Sequence, residues 1–155
     1  MKRGRQKVCV RWVVPLALMA GAGVVVAQAQ EEGALVYREK IMRVNGASMG
    51  AINDVLKFKL PGANEHIAAH AQTIHLQSQL ITDAFQQEAL SEESRAMPEI
   101  WQNWDEFAAA AETLEQETAK LAELAESGDS SAVMAQVRAV GQACGGCHDA
   151  FRRPE

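Results

Sequence analysis

Apolar side chains recur along this chain at intervals of three and four residues, the spacing that places them on one face of an α-helix. Four segments show this period, and helix-breaking residues separate them. No stretch alternates apolar and polar residues at every second position, as a half-buried strand would. The predicted helices are segment A from about Glu32 to Lys59, segment B from Asn64 to Phe85, segment C from Pro98 to Ala125 and segment D from Ser130 to Phe151.

The core-facing stripes and the ends of the segments follow from the same pattern. Segments C and D alternate steps of four and three residues, as closely packed helices do. The stripe of segment A is predicted at Leu35, Met42, Met49, Ile52 and Leu56. The boundary residues are Pro61 and Gly62 after A, Asn64 as N-cap of B, Pro98 at the first position of C, Gly128 after C, and Asp129 or Ser130 as cap of D.

Four helices of about 20 to 28 residues joined by short loops favour one fold class, an all-α, antiparallel four-helix bundle. The chain is predicted to run up, down, up and down. The start of segment A, the end of B, the start of C and the end of D then lie at the same end of the bundle.

The first 29 residues have the composition of a secretory signal peptide. Five basic residues precede an apolar run from Trp12 to Val26, and Ala27-Gln28-Ala29 has the small-x-small form of a cleavage site. The run has about 15 residues, fewer than the roughly 20 that span a bilayer, which leaves an uncleaved anchor as the alternative. We therefore expect removal of residues 1–29, and one domain of residues 30–155 in the periplasm.

Removal of this leader makes the chain strongly acidic. The full sequence has 15 Lys and Arg against 20 Asp and Glu, and the leader holds five of the basic residues and no acidic one. The mature chain then has 15 − 5 = 10 basic residues against 20 acidic ones, a net charge near −10. A surface of this charge argues against nucleic acid as a partner.

Both cysteines of the mature chain lie in a five-residue motif close to its end. Cys144, Cys147 and His148 form C-x-x-C-H, a spacing typical of c-type haem attachment. Positions i, i+3 and i+4 share one helix face, so two thioethers to haem and one histidine ligand to iron are geometrically compatible. A redox dithiol after a strand and a zinc site with a fourth ligand nearby are the alternatives. The motif predicts covalent haem c, with His148 as metal ligand.

The up-and-down topology predicts which side chains surround that haem. Met42 is the best-placed candidate for a second axial ligand, because His66, His70 and His75 lie farther from that end of the bundle. A methionine on a core stripe is more often packing than a ligand, so both roles stay open. The predicted pocket comprises Arg38 and Met42 from A, Ile81 and Phe85 from B, and Ile100, Trp101 and Trp104 from C.

Three stretches are similar to the cytochrome c′ family, the class II c-type cytochromes. They are YREKIMRVNGASMG in segment A, MPEIW at the start of C and GQACGGCHDAFR in D. The resemblance implies a four-helix bundle with one haem c. By this resemblance, Arg38 matches an arginine that pairs with a haem propionate, Met42 the distal position, and Arg152 a basic residue beside the proximal histidine. Ordinary surface charge is the alternative for both arginines.

The distal position divides that family into two functional groups. In one, an apolar side chain covers a five-coordinate iron that binds NO or CO, and in the other a methionine is the sixth ligand of an electron carrier. We expect a periplasmic electron-transfer cytochrome with His148 and Met42 as axial ligands and a redox protein as partner, with gas binding as the alternative. The sequence places no group of acidic and basic catalytic residues beside the predicted haem, so we do not expect an enzyme. A homodimer through the first two helices is compatible with the resemblance.

Overall fold

A computed structural model describes residues 20–154, and this part of the chain is helical apart from its loops and one bridged residue pair. Short connections separate the helices, and the two shortest helices lie in the connection between the second and third long ones. The helices within this range are α1 Ala20–Phe58, α2 Ala63–Ser78, α3 Ile81–Phe85, α4 Glu99–Gln102, α5 Trp104–Ser127 and α6 Ser130–Phe151.

The four long helices form the antiparallel bundle that the sequence predicts. The closely packed pairs of long helices are α1 with α2, α2 with α5, and α5 with α6. Connections of a few residues join α1 to α2 and α5 to α6, so the two helices of each pair run in opposite directions. The apolar core between them is built mainly from aliphatic side chains, among them Ile52, Ile67, Ile74, Leu121, Val133 and Val140.

An aromatic cluster closes the end of the bundle at which α6 finishes. The Phe107 ring from α5 lies at its centre, 5.1 Å from the Phe85 ring and 5.4 Å from the Phe151 ring, centroid to centroid. The Trp104 ring lies 5.6 Å from Phe107. Contacts of this kind between tilted and edge-on rings stabilise a core beyond the area that they bury.

The end of α6 is also tied to the loop that precedes α4. Ala96 and Arg152 form an antiparallel bridge, and the Met97 backbone amide donates to the Phe151 carbonyl at 3.1 Å. The Arg153 amide donates to the Arg95 carbonyl at 2.8 Å. Backbone pairing on both sides of Arg152 fixes the C-terminal end of α6, directly after the helical turns that carry the cysteine–histidine motif.

Several predicted helix boundaries are wrong. Segment B is divided into α2 and α3, and segment C into α4 and α5 at Asn103, whose backbone is not helical (φ −124°, ψ 51°). Gly62 rather than Asn64 caps α2, because the chain reverses there through a left-handed backbone (φ 69°) that favours glycine. Of the two candidate caps of α6, the structure selects Asp129, whose side chain accepts from the amides of residues 131 and 132.

The buried face of α1 is displaced from the predicted stripe. Leu35, Met42, Met49 and Leu56 are only half-buried, whereas Ile52 is fully buried. Apolar spacing predicts only the edge of the buried face of α1, because three of the six residues at the centre of that face are polar. The buried face consists of Arg38, Ile41, Asn45, Ser48, Ile52 and Val55, which are separated by alternating steps of three and four residues.

Most of the predicted signal peptide, residues 1–19, lies outside the described residues. Within the described range, α1 is already helical from Ala20 and continues through residues 27–29. A search of the described helices found none with both the length and the apolar character that a membrane span requires.

Candidate functional site

A cavity of about 370 Å³ lies between α1 and α6, and α3 and α5 close its sides. Its walls are largely apolar, and it brings the C-x-x-C-H motif together with the predicted distal residue. A recess of about 410 Å³ at the α1–α2 turn is more open to solvent and contains no cysteine. The lining residues of the interhelical cavity are Met42, Asn45, Gly46, Met49, Gly50 and Asn53 from α1, Ile81 from α3, Ala110, Ala111 and Leu114 from α5, and Ala143, Cys144, Cys147 and His148 from α6.

The antiparallel register of α1 and α6 determines which residues face one another across the cavity. A Cβ atom on Gly141 would lie 3.9 Å from Cε of Met49, so the two helices meet at this level. Both helices rise by about 1.5 Å per residue. Met42, seven residues before Met49, therefore lies at about the level of His148, seven residues after Gly141.

The two cysteines carry free, half-buried thiols on the α6 wall. Burial raises the pKa of the Cys144 thiol. Burial, together with the neighbouring Cys144, raises the pKa of Cys147 to about 11. A reactive dithiol requires a lowered thiol pKa, so this environment does not favour that alternative. No group of three or more metal-binding side chains occurs among the residues that the structure describes.

His148 lies on the same face of α6 as the two thiols. Burial lowers the pKa of His148, the nearby charges of Arg152 and Arg95 lower it further, and Asp149 acts in the opposite direction. The neutral imidazole is therefore favoured at neutral pH, and this is the form that can ligate a metal ion. Arg152 is exposed, yet close enough to His148 to act on its pKa.

The α1 wall has the shape and polarity to receive a large, flat cofactor. A Cβ atom on Gly46 or Gly50 would meet nothing within 4 Å, so both glycines border open space. Glycine inside a helix costs about 1 kcal/mol relative to alanine, which points to a steric reason for its use there. Asn45 on the same wall is 7% exposed, and its amide atoms have no hydrogen-bond partner among the described residues. These residues fit a haem group that carries its own polar atoms.

Arg38 forms a separate buried cluster with Phe85 and Trp101. Its Nε donates to the Ala84 carbonyl at 2.8 Å, its Nη1 to the Ala89 carbonyl at 2.9 Å, and its Nη2 to the Gln87 carbonyl. Its Cζ lies 4.7 Å from the Phe85 ring centroid and 5.3 Å from that of Trp101. The Trp101 indole donates to the Phe85 carbonyl at 2.7 Å. The cluster joins α1 to the connection that carries α3 and α4.

Only some of the residues predicted around the haem line the cavity. Met42 and Ile81 do, together with the three motif residues of α6. The other five predicted side chains do not line the cavity but pack in or beside the aromatic cluster and the Arg38 cluster, where three are buried and the two tryptophans are partly buried. They are Arg38, Phe85, Ile100, Trp101 and Trp104. Pairing of Arg38 with a propionate remains a prediction.

Sequence reasoning missed both Asn45 and Met49 as residues that line the cavity. Asn45 could have been found from its spacing, because it lies at a step of four residues after Ile41 and three before Ser48 on the buried face of α1, which includes polar residues. Met49 lines the cavity at the level of Gly141, where the absence of a side chain on α6 leaves room for it.

Replacement of Arg38 by lysine is expected to destabilise the fold. Lysine has no planar guanidinium, so it cannot donate to the three carbonyls in the same geometry or stack on the Phe85 and Trp101 rings. We expect Arg38→Lys to lower the free energy of unfolding by about 2–3 kcal/mol, measured by urea denaturation. The control is Arg43→Lys on the exposed side of α1, with an expected change below about 0.5 kcal/mol. Equal effects at both positions would show that the Arg38 contacts contribute nothing specific.

Comparison with known sequences agrees with the geometry of the site. A family model described as Cytochrome C′ matches residues 33–152. Cytochrome c′ of Halomonas halodenitrificans is 32% identical over 130 residues, which cover 80% of this chain and 98% of that protein. Cytochrome c-556 of Agrobacterium tumefaciens (strain II Chrys) is 33% identical over 121 residues, which cover 77% of this chain and 97% of that protein.

Solved structures show the same fold. Cytochrome c prime from Shewanella frigidimarina matches with a TM-score of 0.74 at 22% identity, covering 80% of this chain and 97% of that one. A nitric oxide complex of a variant of cytochrome c prime from Alcaligenes xylosoxidans matches with a TM-score of 0.72 at 27% identity, with the same coverage. The chain therefore belongs to the cytochrome c′ family, and its cofactor is covalently bound haem c.

Proposed function

We propose that this protein binds a diatomic gas, NO or CO, at the iron of its haem c. The observation that carries the proposal is the lining of the cavity, in which Met42 and mostly apolar residues lie opposite the α6 motif and His148 is the only histidine among the described lining residues. The face of the haem away from His148 would then have no second histidine that competes with a gas ligand for the iron. Solved NO-bound and CO-bound structures of variants of cytochrome c prime from Alcaligenes xylosoxidans are consistent with this role.

Three residues of α6 would hold the haem. Cys144 and Cys147 would form the thioethers, and the neutral imidazole of His148 would be the proximal ligand, favoured in this form by burial and by Arg152. When bound, haem supplies an iron centre that exchanges one electron and binds small diatomic molecules. The largely apolar cavity wall would surround that centre with few polar groups.

Met42 would act as a steric gate on the distal side. Its half-buried side chain lines the cavity at about the level of His148. A thioether chain with three rotatable bonds fills space and moves aside readily. In this arrangement Met42 covers the distal face until a gas molecule displaces it.

Electron transfer is the second candidate, and the position of Met42 also favours it. A methionine that faces the proximal histidine across the cavity could ligate the iron as a sixth ligand, with a redox protein as partner. The two candidates therefore differ in whether the Met42 sulfur is bonded to iron.

Exposure of the ferrous holoprotein to CO tests the gas-binding proposal. We expect CO to bind readily and to change the visible spectrum, because no strong ligand has to leave the distal side. A ferrous protein whose spectrum CO leaves unchanged would contradict gas binding and favour a Met42–iron bond.

We further propose that residues 1–29 are removed on export and that the mature protein, residues 30–155, works in the periplasm. Cleavage after Ala29 would make Gln30 the first residue of α1. N-terminal sequencing of the haem-containing protein from the periplasmic fraction tests this, and a sequence that starts at Met1 would contradict it.

A further inference from the structure

Asn45 is a polar side chain in the buried face of α1 that the packing of the protein does not account for. It is 7% exposed, and neither Oδ1 nor Nδ2 has a hydrogen-bond partner among the described residues. A buried amide without a partner is unfavourable, and native proteins rarely leave one unpaired. A purely structural asparagine would bond to a neighbouring helix, so the partner must be sought elsewhere.

The place of Asn45 in the cavity identifies where that partner lies. Asn45 lines the cavity three residues after Met42, about 4.5 Å farther along α1. By the register of α1 and α6, it lies at about the level of Gly145, between the two cysteines. The α3 and α5 side chains at the cavity have no hydrogen-bonding group, and none of the described residues bonds to Asn45; these lining residues are Ile81, Ala110, Ala111 and Leu114. The group that bonds to Asn45 therefore belongs to the occupant of the cavity.

Haem offers two kinds of polar partner, its propionates and a ligand on its iron. Propionates are charged and are stabilised by water or by cationic side chains. Asn45 is neutral and almost fully buried, and it lies on the wall that faces the α6 motif. An uncharged diatomic ligand in the distal space suits a neutral amide donor better.

We propose that Asn45 Nδ2 donates a hydrogen bond to CO or NO bound on the α1 side of the haem, so that Asn45 sets ligand affinity. This inference rests on the proposed gas-binding function. A donor directed at the oxygen atom of the ligand draws electron density from iron into the ligand. The C–O bond is then weaker and its stretching frequency lower than in an apolar pocket.

The test replaces Asn45 by leucine, which has a similar volume and no donor. In the CO complex of the ferrous Asn45→Leu holoprotein, we expect the C–O stretch to move to higher wavenumber in the infrared spectrum. We also expect the dissociation constant for CO to rise about fivefold, as the loss of one net hydrogen bond of about 1 kcal/mol gives. The control is Asp54→Leu, at an exposed polar position of the same helix outside the cavity lining, which should change neither value.

The outcomes separate this inference from the function on which it rests. A wild-type protein that binds CO, with an unchanged C–O stretch in Asn45→Leu, overturns the role of Asn45 alone. An altered midpoint potential with an unchanged stretch indicates a propionate partner and also overturns it. A wild-type protein that does not bind CO overturns both. If Asn45→Leu does not accumulate as holoprotein, Asn45→Ala is measured in the same way, with the same expected direction.

Discussion

Replacement of both Cys144 and Cys147 by alanine is expected to give a colourless protein with no covalently attached haem and a poorly packed bundle. Both thioether positions are lost, so haem is no longer retained after denaturation. Unfilled cavity costs about 24 cal/mol per Å³, so a volume of about 370 Å³ corresponds to roughly 9 kcal/mol. That upper value is comparable with the total stability of a typical domain, about 5–15 kcal/mol.

Haem staining after denaturing electrophoresis measures attachment, and near-UV circular dichroism with urea denaturation measures packing. We expect no haem stain. We also expect the free energy of unfolding to fall by several kcal/mol, less than the upper value because the cavity walls collapse. The control is Gly146→Ala between the same cysteines, because a Cβ there meets nothing within 4 Å. A double variant that stains for haem as strongly as the wild type would refute attachment at these cysteines.

Replacement of Met42 by alanine is expected to change access to the iron more than any other distal substitution. If Met42 is a gate, the wild type already binds CO, and Met42→Ala accelerates CO association about tenfold, as removal of a barrier of about 1.4 kcal/mol gives. If Met42 is a ligand, the ferric wild type is low-spin, and the variant becomes high-spin and newly able to bind CO. Stopped-flow CO binding and electron paramagnetic resonance distinguish the two.

Met49→Ala is the matched control for Met42. It removes the same side chain from the same cavity wall, but at the level of Gly141 rather than that of His148. We expect little change in spin state or CO association. Wild type and Met42→Ala with the same CO kinetics and the same spin state would exclude both roles of Met42.

The fold class and the attachment motif are readable from the chain because both depend on local spacing. The regular steps of α5 and α6 and the short connections define the bundle, and C-x-x-C-H specifies three positions within one helical turn. The break between α4 and α5 at Asn103 could not be predicted from local spacing. Neither proline nor glycine marks it, and its irregular backbone depends on how α4 packs against the rest of the fold.

The α1 wall of the cavity shows most clearly what could not be predicted from the sequence. Apolar periodicity correctly identified Met42 as a cavity residue, but it passed over Asn45, whose polar side chain occupies a buried position of the same helix. Arg38 shows a second limit. The family resemblance implies a propionate contact, which stays a prediction, but no pattern in the sequence indicated that the Arg38 guanidinium donates to three backbone carbonyls of α3 and the loop that follows. Such contacts depend on loop conformation, which periodicity does not encode.

The mass of the tryptic peptide from Ala139 to Arg152, taken from the exported protein, tests the central claim most directly. This peptide contains both cysteines and His148. Covalent attachment predicts the mass of the peptide plus one haem, with the visible absorbance of the protein eluting in the same fraction. A colourless peptide with the mass of its amino acids alone would contradict the account.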